Sequence, residues 1–201
     1  MIELIQGEGG VNALQPDYVS ELYKFCNEQD ILLIVDEVQT GNGRTGSLYA
    51  FMEYGILPDI VTTAKGLGGG LPIGACMLGK KVENTFTYGT HGSTFGGNPV
   101  CSAGAISILN RLTPEFLSEV KKKSKYIFET LSSAEGVEGV SGMGLMIGVK
   151  TKKPVKEVVS YCIENGVLPL TAKDKLRLLP ALNISDELLE KALSVILNAL
   201  K

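Results

Sequence analysis

The sequence has no pair of cysteines spaced C-x-x-C, a single histidine, no apolar run near 20 residues, no internal repeat and no low-complexity tract. Each absence removes a class of protein. Cys26, Cys76, Cys101 and Cys162 are scattered, with no histidine beside them to complete a zinc site. They read as reduced core thiols, as a cytosolic compartment would keep them. Without an apolar stretch of roughly 20 residues there is no candidate membrane helix. The first residues also lack the basic-then-apolar layout of a signal peptide. A basic excess is missing as well: residues 1–111 hold 11 acidic against 6 basic side chains, and residues 112–201 hold 11 against 13. That balance speaks against a nucleic-acid partner. What remains is a chain of 201 residues, 44% hydrophobic and 20% charged, able to bury a core and unlike a disordered segment. A globular cytoplasmic protein with neither nucleic-acid nor membrane partners is expected.

Met1–Ile5 reads as a strand that opens the chain abruptly and runs into the loop Gln6–Gly10. Asp17 is a candidate cap for a helix over Tyr18–Glu28, whose Val19, Leu22, Tyr23, Phe25 and Cys26 fall near a 3-4 spacing. Ile31–Val35 is apolar throughout, the pattern of a parallel strand buried on both faces, and it ends at Asp36-Glu37. A helix over Leu48–Tyr54 and a strand over Asp59–Thr63 then lead to Lys65. Alternating strands and helices predict a layered α/β domain. Gly66–Gly74 has five glycines in nine positions, chain that bends sharply or comes close to something, and Gly74–Gly79 resembles a further strand. The helix over Asn98–Leu112 carries Ala103, Gly104 and Ala105, which suggests close packing, and Thr113-Pro114 starts another helix. Its lysine run, Lys121 to Lys125, reads as a solvated face. Beyond residue 112 the pattern changes to strands over Val137–Lys150 and Leu176–Leu179, a helix over Val155–Asn165, and an amphipathic helix over Ser185–Leu200 with Ser185 as its cap. A small α+β domain following an incomplete α/β one is expected.

Two acids after a hydrophobic strand resemble the magnesium site of a phosphate-loop ATPase. The partner loop fails, because Gly74–Lys81 matches G-x-x-x-x-G-K but has lysine where a magnesium-binding Ser or Thr is needed, and it lies downstream of the acids. A different use of Asp36 follows from Lys65. An acid at the C-terminal end of one strand and a lysine just after another both face the crevice where open α/β sheets bind ligands. A lysine amine can form an imine with a cofactor aldehyde. A carboxylate beside the ring nitrogen keeps that nitrogen protonated, so that the ring accepts an electron pair.

Four ordered stretches then resemble the class III aminotransferases that use pyridoxal 5'-phosphate, in particular the acetylornithine/ornithine type. They are Gln6-Gly7-Glu8-Gly9-Gly10, Asp36–Gly46 with its Gly43-Arg44-Thr45-Gly46, Pro58–Ala75 around Lys65, and His91–Pro99. Leu176-Arg177-Leu178-Leu179-Pro180 resembles the family's substrate-arginine segment. The resemblance implies that Lys65 carries the cofactor as a Schiff base and is catalytic. It further implies that Asp36 pairs with the pyridine nitrogen, Gln39 lies near the phenolic oxygen and Val38 packs on the ring. Thr94 would reach the phosphate of the cofactor held mainly by a neighbouring subunit, which implies a homodimer with a shared active site. On the substrate side, the resemblance implies Ser93, Arg177 as the bidentate carboxylate clamp, and Glu8 as a gate that pairs with Arg177 until the oxo acid needs it. His91 is given a structural role at a loop, since the lysine already supplies the proton shuttle. Leu4 stands where the family has proline after the acid at position 3, a departure that bears on local backbone.

The fold so implied is α/β, the C-terminal part of a fold type I large domain with a mostly parallel sheet over residues 1–111, followed by a small α+β C-terminal domain over 112–201. Family members are about twice as long, and the N-terminal half with its phosphate-binding loop is expected to be absent. The expected activity is transfer of an amino group from N-acetylornithine to 2-oxoglutarate in arginine biosynthesis. Ornithine, succinylornithine and 4-aminobutyrate transaminases are the rivals, and a non-catalytic folding or dimerisation fragment is the alternative of another class. No metal is expected.

Overall fold

The computed structural model describes residues 1–201. In chain order its first elements are β1 (Ile5–Gln6), β2 (Asn12–Ala13), α1 (Pro16–Glu28), β3 (Ile34–Asp36), β4 (Ile60–Thr63), β5 (Ala75–Leu78) and α2 (Pro99–Leu109). They are followed by α3 (Pro114–Ser132), β6 (Val137–Met143), β7 (Met146–Thr151), α4 (Val155–Glu164), β8 (Leu170–Ala172), β9 (Lys175–Leu178) and α5 (Asp186–Leu200). Short 3-10 turns occupy Ala50–Met52 and Lys65–Gly68. None of the helices is long and apolar enough to cross a membrane. The chain divides into two compact units. The first comprises Met1–Leu4, Leu14–Gly43 and Ser47–Phe116; the second comprises Ile5–Ala13, Arg44–Gly46 and Leu117–Lys201.

In the first unit β3 pairs in parallel with β4, and β4 pairs antiparallel with β5. Ile2 adds a parallel bridge to Val35, its N–H donating to Ile34 O and its carbonyl accepting from Asp36 N, both at 2.9 Å. The core under this sheet gathers Leu4, Val19, Cys26, Leu33, Val35, Ala50 and Ile56. Each apolar side chain so buried contributes about 1.5 to 3 kcal/mol, and α1 supplies Val19 and Cys26 because its apolar positions recur on one stripe.

The second unit is a four-stranded antiparallel sheet in the order β6-β7-β9-β8, with Met146, Ile147, Val149, Leu176 and Leu178 buried along its central strands. From α5, Leu189, Leu193, Ile196, Ala199 and Leu200 are buried, and Ser185 caps the helix by accepting the N–H of Leu188 at 3.3 Å. Arg44 grips the turn between β6 and β7. Its Nη1 donates to Leu145 O at 3.1 Å and Pro180 O at 2.6 Å, and its own carbonyl accepts from Leu145 N at 2.9 Å. Burial of this guanidinium among carbonyls lowers its pKa. The Arg-Thr-Gly motif is therefore a structural staple.

Several expectations are corrected. Met1–Ile5 is not one strand: Ile2 bridges to β3, while Ile5 belongs to the β1–β2 hairpin. The cap of α1 is Gln15, without a side-chain bond, since Pro16 takes the first turn and leaves Asp17 as a first-turn acid favoured by the helix dipole. Ile31 and Leu32 are exposed at 46% and 43%, so the strand is only three residues long. Leu48–Tyr54 contains a single 3-10 turn where a helix was expected. Strand β8 is not legible in the sequence, because three residues directly after Pro169 carry too little periodicity.

Gly144, at φ 59° in the β6–β7 turn, has Arg44 O and Thr45 Cα each 2.4 Å from where a Cβ would stand. Backbone cannot move aside as a flexible side chain can. Gly144→Ala is expected to cost more than about 2 kcal/mol, measured as a drop in urea midpoint; an unchanged midpoint would contradict the close approach.

Candidate active site

The register of β3 on β4 aligns Asp36 with Thr62, and Glu37 N donates to Thr62 O at 2.8 Å just beyond. Asp36 thus ends one strand, and Lys65 follows three residues after Thr62 at the same end of the next. Past Asp36 the chain turns sharply, with Val38 N donating to Asp36 Oδ1 at 2.9 Å and Gly41 N to Glu37 O at 2.9 Å. Glu37 is wholly buried. Its carboxylate accepts the N–H of Phe51 at 2.8 Å and the hydroxyl of Thr40, and burial raises its pKa against these bonds and one from the Ala50 backbone. Val38 and Gln39 sit half-buried on the turn that Glu37 anchors.

Lys65 is exposed and makes no ion pair or hydrogen bond through its amine. Its backbone lies in the left-handed region, φ 45°, and the 3-10 turn it opens is closed by Gly69 at φ 60°. Helix α2 packs directly on this segment, as its small residues suggested: a Cβ on Gly104 would stand 2.6 Å from Leu71 Cδ1. Asn98 caps α2 by accepting the N–H groups of Val100 and Cys101. Upstream, Ser93 and Thr94 lie on an exposed stretch where Ser93 Oγ accepts from Gly96 N at 3.1 Å, while Thr94 is free of side-chain bonds. His91 stacks obliquely on Phe86 with ring centroids 5.2 Å apart.

In the second unit Arg177 and Glu8 meet. Arg177 lies on β9, 8% exposed, with Nη1 donating to Glu8 Oε1 at 2.6 Å. Its Nε is buried without an acceptor, an unfilled donor on a planar fork suited to a carboxylate. Glu8, by contrast, is 76% exposed, so the pair is solvent-screened on the acid side and easily opened. Two residues away on β9, Lys175 Nζ donates to Asn12 Oδ1 and Ser141 Oγ, both at 2.8 Å. Asn12 in turn donates to Gly9 O at 3.0 Å, which ties the turn bearing Glu8 to the strand bearing Arg177. An apolar groove of about 470 Å³, lined by Leu168, Leu170, Leu188 and Leu193, adjoins Arg177.

The family model of the class III aminotransferases matches residues 1–200. The chain belongs to this family. It is 50% identical over 202 residues to an acetylornithine aminotransferase of Haemophilus ducreyi, which covers 100% of this chain and 51% of the relative. With the corresponding protein of Aquifex aeolicus it shares 45% over 198 residues, 98% of this chain and 52% of the relative. The crystal structure of N-acetylornithine aminotransferase from Stenotrophomonas maltophilia superposes with a TM-score of 0.89 at 36% identity, covering 98% of this chain and 54% of the other. Ornithine aminotransferase from Plasmodium yoelii gives 0.90 at 32% identity, with 99% and 57% covered. The chain spans about half the length of the curated relatives it matches.

Class III aminotransferases are pyridoxal-phosphate enzymes of fold type I, and the α/β first unit is part of that fold. The groups present fit the cofactor: an unpaired amine on Lys65, and on Asp36 a carboxylate with only one oxygen engaged, at the ends of adjacent parallel strands. Three residues behind these groups, Glu37, Asn42 and Tyr49, have contacts that the sequence does not announce. Glu37 was read only as the second acid of a pair. Asn42 lies in a glycine-flanked loop and Tyr49 in a segment whose pattern suggests a helix, neither of which points to a role. Strand alternation could have flagged Glu37, since neighbours on an extended chain face opposite ways and one of two adjacent acids must turn from the crevice.

A carboxyl whose folded-state pKa lies above its unfolded value contributes stability that is full below about 4.5 and lost as pH rises through the folded value. Glu37→Gln is therefore expected to flatten the pH dependence of the urea midpoint above pH 4.5 relative to the parent. Parallel pH profiles for the two proteins would refute this.

Proposed function

We propose that this chain carries the lysine and pyridine-nitrogen side of the active site of an aminotransferase that moves an amino group from N-acetylornithine, or a related ω-amino donor, to 2-oxoglutarate in arginine biosynthesis. The observation that supports it most is the pairing of β3 with β4, which ends Asp36 and Lys65 on the same rim of the sheet. Two relatives named acetylornithine aminotransferase support the donor, and the ornithine aminotransferase structure supports ornithine as the runner-up. The proposed domain division is residues 1–111 as the C-terminal part of the cofactor domain and 112–201 as the small domain, although Ile5–Ala13 and Arg44–Gly46 belong to the second compact unit.

When bound, the cofactor supplies an electron sink and a carrier for the amino group. The chain's own residues do the rest. Lys65 would hold the cofactor through its amine, and the same amine, when free, would carry a proton to and from the substrate carbon that bears the amino group. Asp36 holds the ring nitrogen protonated by placing a negative charge beside it. Val38 covers the ring, Gln39 donates toward the phenolic oxygen, and Ser93 and Thr94 serve the substrate and phosphate of a site shared with a second copy. That homodimer belongs to the proposal through Thr94, which is assigned to the cofactor phosphate of a neighbouring copy. Arg177 clamps the oxo-acid carboxylate with two parallel bonds after Glu8 swings away, and Glu8 neutralises Arg177 while the donor reacts through its side-chain amine. A cytoplasmic location goes with this reading.

The test is borohydride reduction of the purified chain mixed with pyridoxal phosphate, followed by a peptide map. The pyridoxyl label is expected on Lys65 and is expected to vanish in Lys65→Ala; labelling spread evenly over surface lysines would defeat the assignment. In an assembly that transaminates, Arg177→Lys is expected to weaken the 2-oxoglutarate half-reaction by about 1.5 to 3 kcal/mol, the scale of a charged hydrogen bond, with the donor half-reaction less affected. Equal rates for the two proteins with 2-oxoglutarate would remove Arg177 from the clamp.

A further inference from the structure

Asn42 occupies an expensive position. It is 5% exposed, its backbone is left-handed at φ 56°, and its Oδ1 is buried with no hydrogen-bond partner. Glycine would adopt that backbone without crowding and would bury no unsatisfied acceptor. What glycine lacks is the amide, and both protons of Asn42 Nδ2 are engaged, with Thr63 Oγ1 at 3.0 Å and with Ala64 O at 3.2 Å.

Those two acceptors are the residues immediately before Lys65. The Ala64 carbonyl also accepts Leu67 N at 3.0 Å, so the direction of that carbonyl is held from two sides. The carbonyl of residue 64 and the N–H of residue 65 share one rigid peptide plane. Holding that plane anchors one side of the N–Cα bond of Lys65 while the 3-10 turn Lys65–Gly68 anchors the other, and between them the residue stands at φ 45°, where a side chain larger than hydrogen is crowded. Thr63, 3% exposed, is braced in turn by a hydrogen bond with the Tyr49 hydroxyl.

We propose that Asn42 is a positioning residue that clamps the Ala64–Lys65 peptide and so holds Lys65 in its left-handed conformation, setting the direction from which the amine emerges from the rim of the sheet. The inference deepens the reading of Lys65 as the cofactor lysine and rests on it for its functional meaning. Its geometry can be tested separately.

The experiment compares residue 65 as glycine and as alanine in two backgrounds. In the parent background Lys65→Gly is expected to have a higher urea midpoint than Lys65→Ala, because glycine accepts positive φ. Combined with Asn42→Gly, which tolerates the loop conformation but removes the amide, the turn is free to relax to negative φ, and the order is expected to reverse, since alanine then limits the unfolded chain more. If Asn42→Gly does not fold, Asn42→Asp keeps shape and backbone tolerance while losing both donated protons, and the same reversal is expected. The same order in both backgrounds, whichever order it is, overturns the proposal. Neither variant at position 65 has an amine, so this outcome is independent of whether Lys65 bonds the cofactor. That question is read separately, as pyridoxyl label at Lys65 in Asn42→Gly against the parent. A lower initial labelling rate at Lys65, with labelling of exposed Lys24 unchanged, is the second expected result, and equal rates at Lys65 would show that the clamp does not serve the amine.

Discussion

Parallel pairing of β3 with β4 is the constraint from which the rest of the first unit follows. Three register pairs, Ile34 with Ile60, Val35 with Val61 and Asp36 with Thr62, bring two segments 26 residues apart in sequence to a common rim. Parallel strands cannot be joined by a tight turn, so the chain between them must leave the sheet and return. The residues that leave it, Glu37 to Asp59, include Glu37, Thr40, Asn42, Tyr49 and Phe51, which brace the rim from one side. Asp59 itself returns a carboxylate oxygen to Leu33 N at 2.8 Å, which locks the base of the same pair.

Behind the rim lies a layer of buried polar groups whose energetics differ from those of the apolar core below. Glu37 is held by Phe51 N and Thr40, and Asn42 by Thr63 and Ala64. A buried carboxylate or amide destabilises unless its partners are supplied, so these bonds confer geometry more than net stability. The second unit repeats the pattern with other chemistry: Arg44 spends its guanidinium on backbone carbonyls, while Arg177 keeps a donor unfilled. Arg44 is half-buried and Arg177 buried, and what their donors meet separates a staple from a candidate clamp.

Elements with long, regular periodicity were legible in the sequence. Helix α5 shows its stripe of Leu189, Leu193 and Ile196 and its Ser185 cap plainly, because a 15-residue helix repeats its signal four times. The extended run at Ile31–Leu32 misled for the opposite reason: apolar side chains at a short strand's entrance look the same whether covered or not. Residues 5–13 have no local pattern to read, since β1 and β2 have two residues each and Ile5 and Val11 pack with the distant Met146 and Ala172.

For the site, the sequence by itself determined the chemical inventory, an amine at Lys65, a carboxylate at Asp36 and a guanidinium at Arg177, together with the family whose motifs hold them, because motif spacing survives in one dimension. Tertiary structure decided what each group touches. That Arg44 staples a hairpin, that Glu8 rests on Arg177 and that Asn42 grips the peptide before Lys65 all depend on contacts 21 to 169 residues apart in sequence. Hydrogen bonds of that kind have no period to betray them, since they are set by where strands and turns end in space.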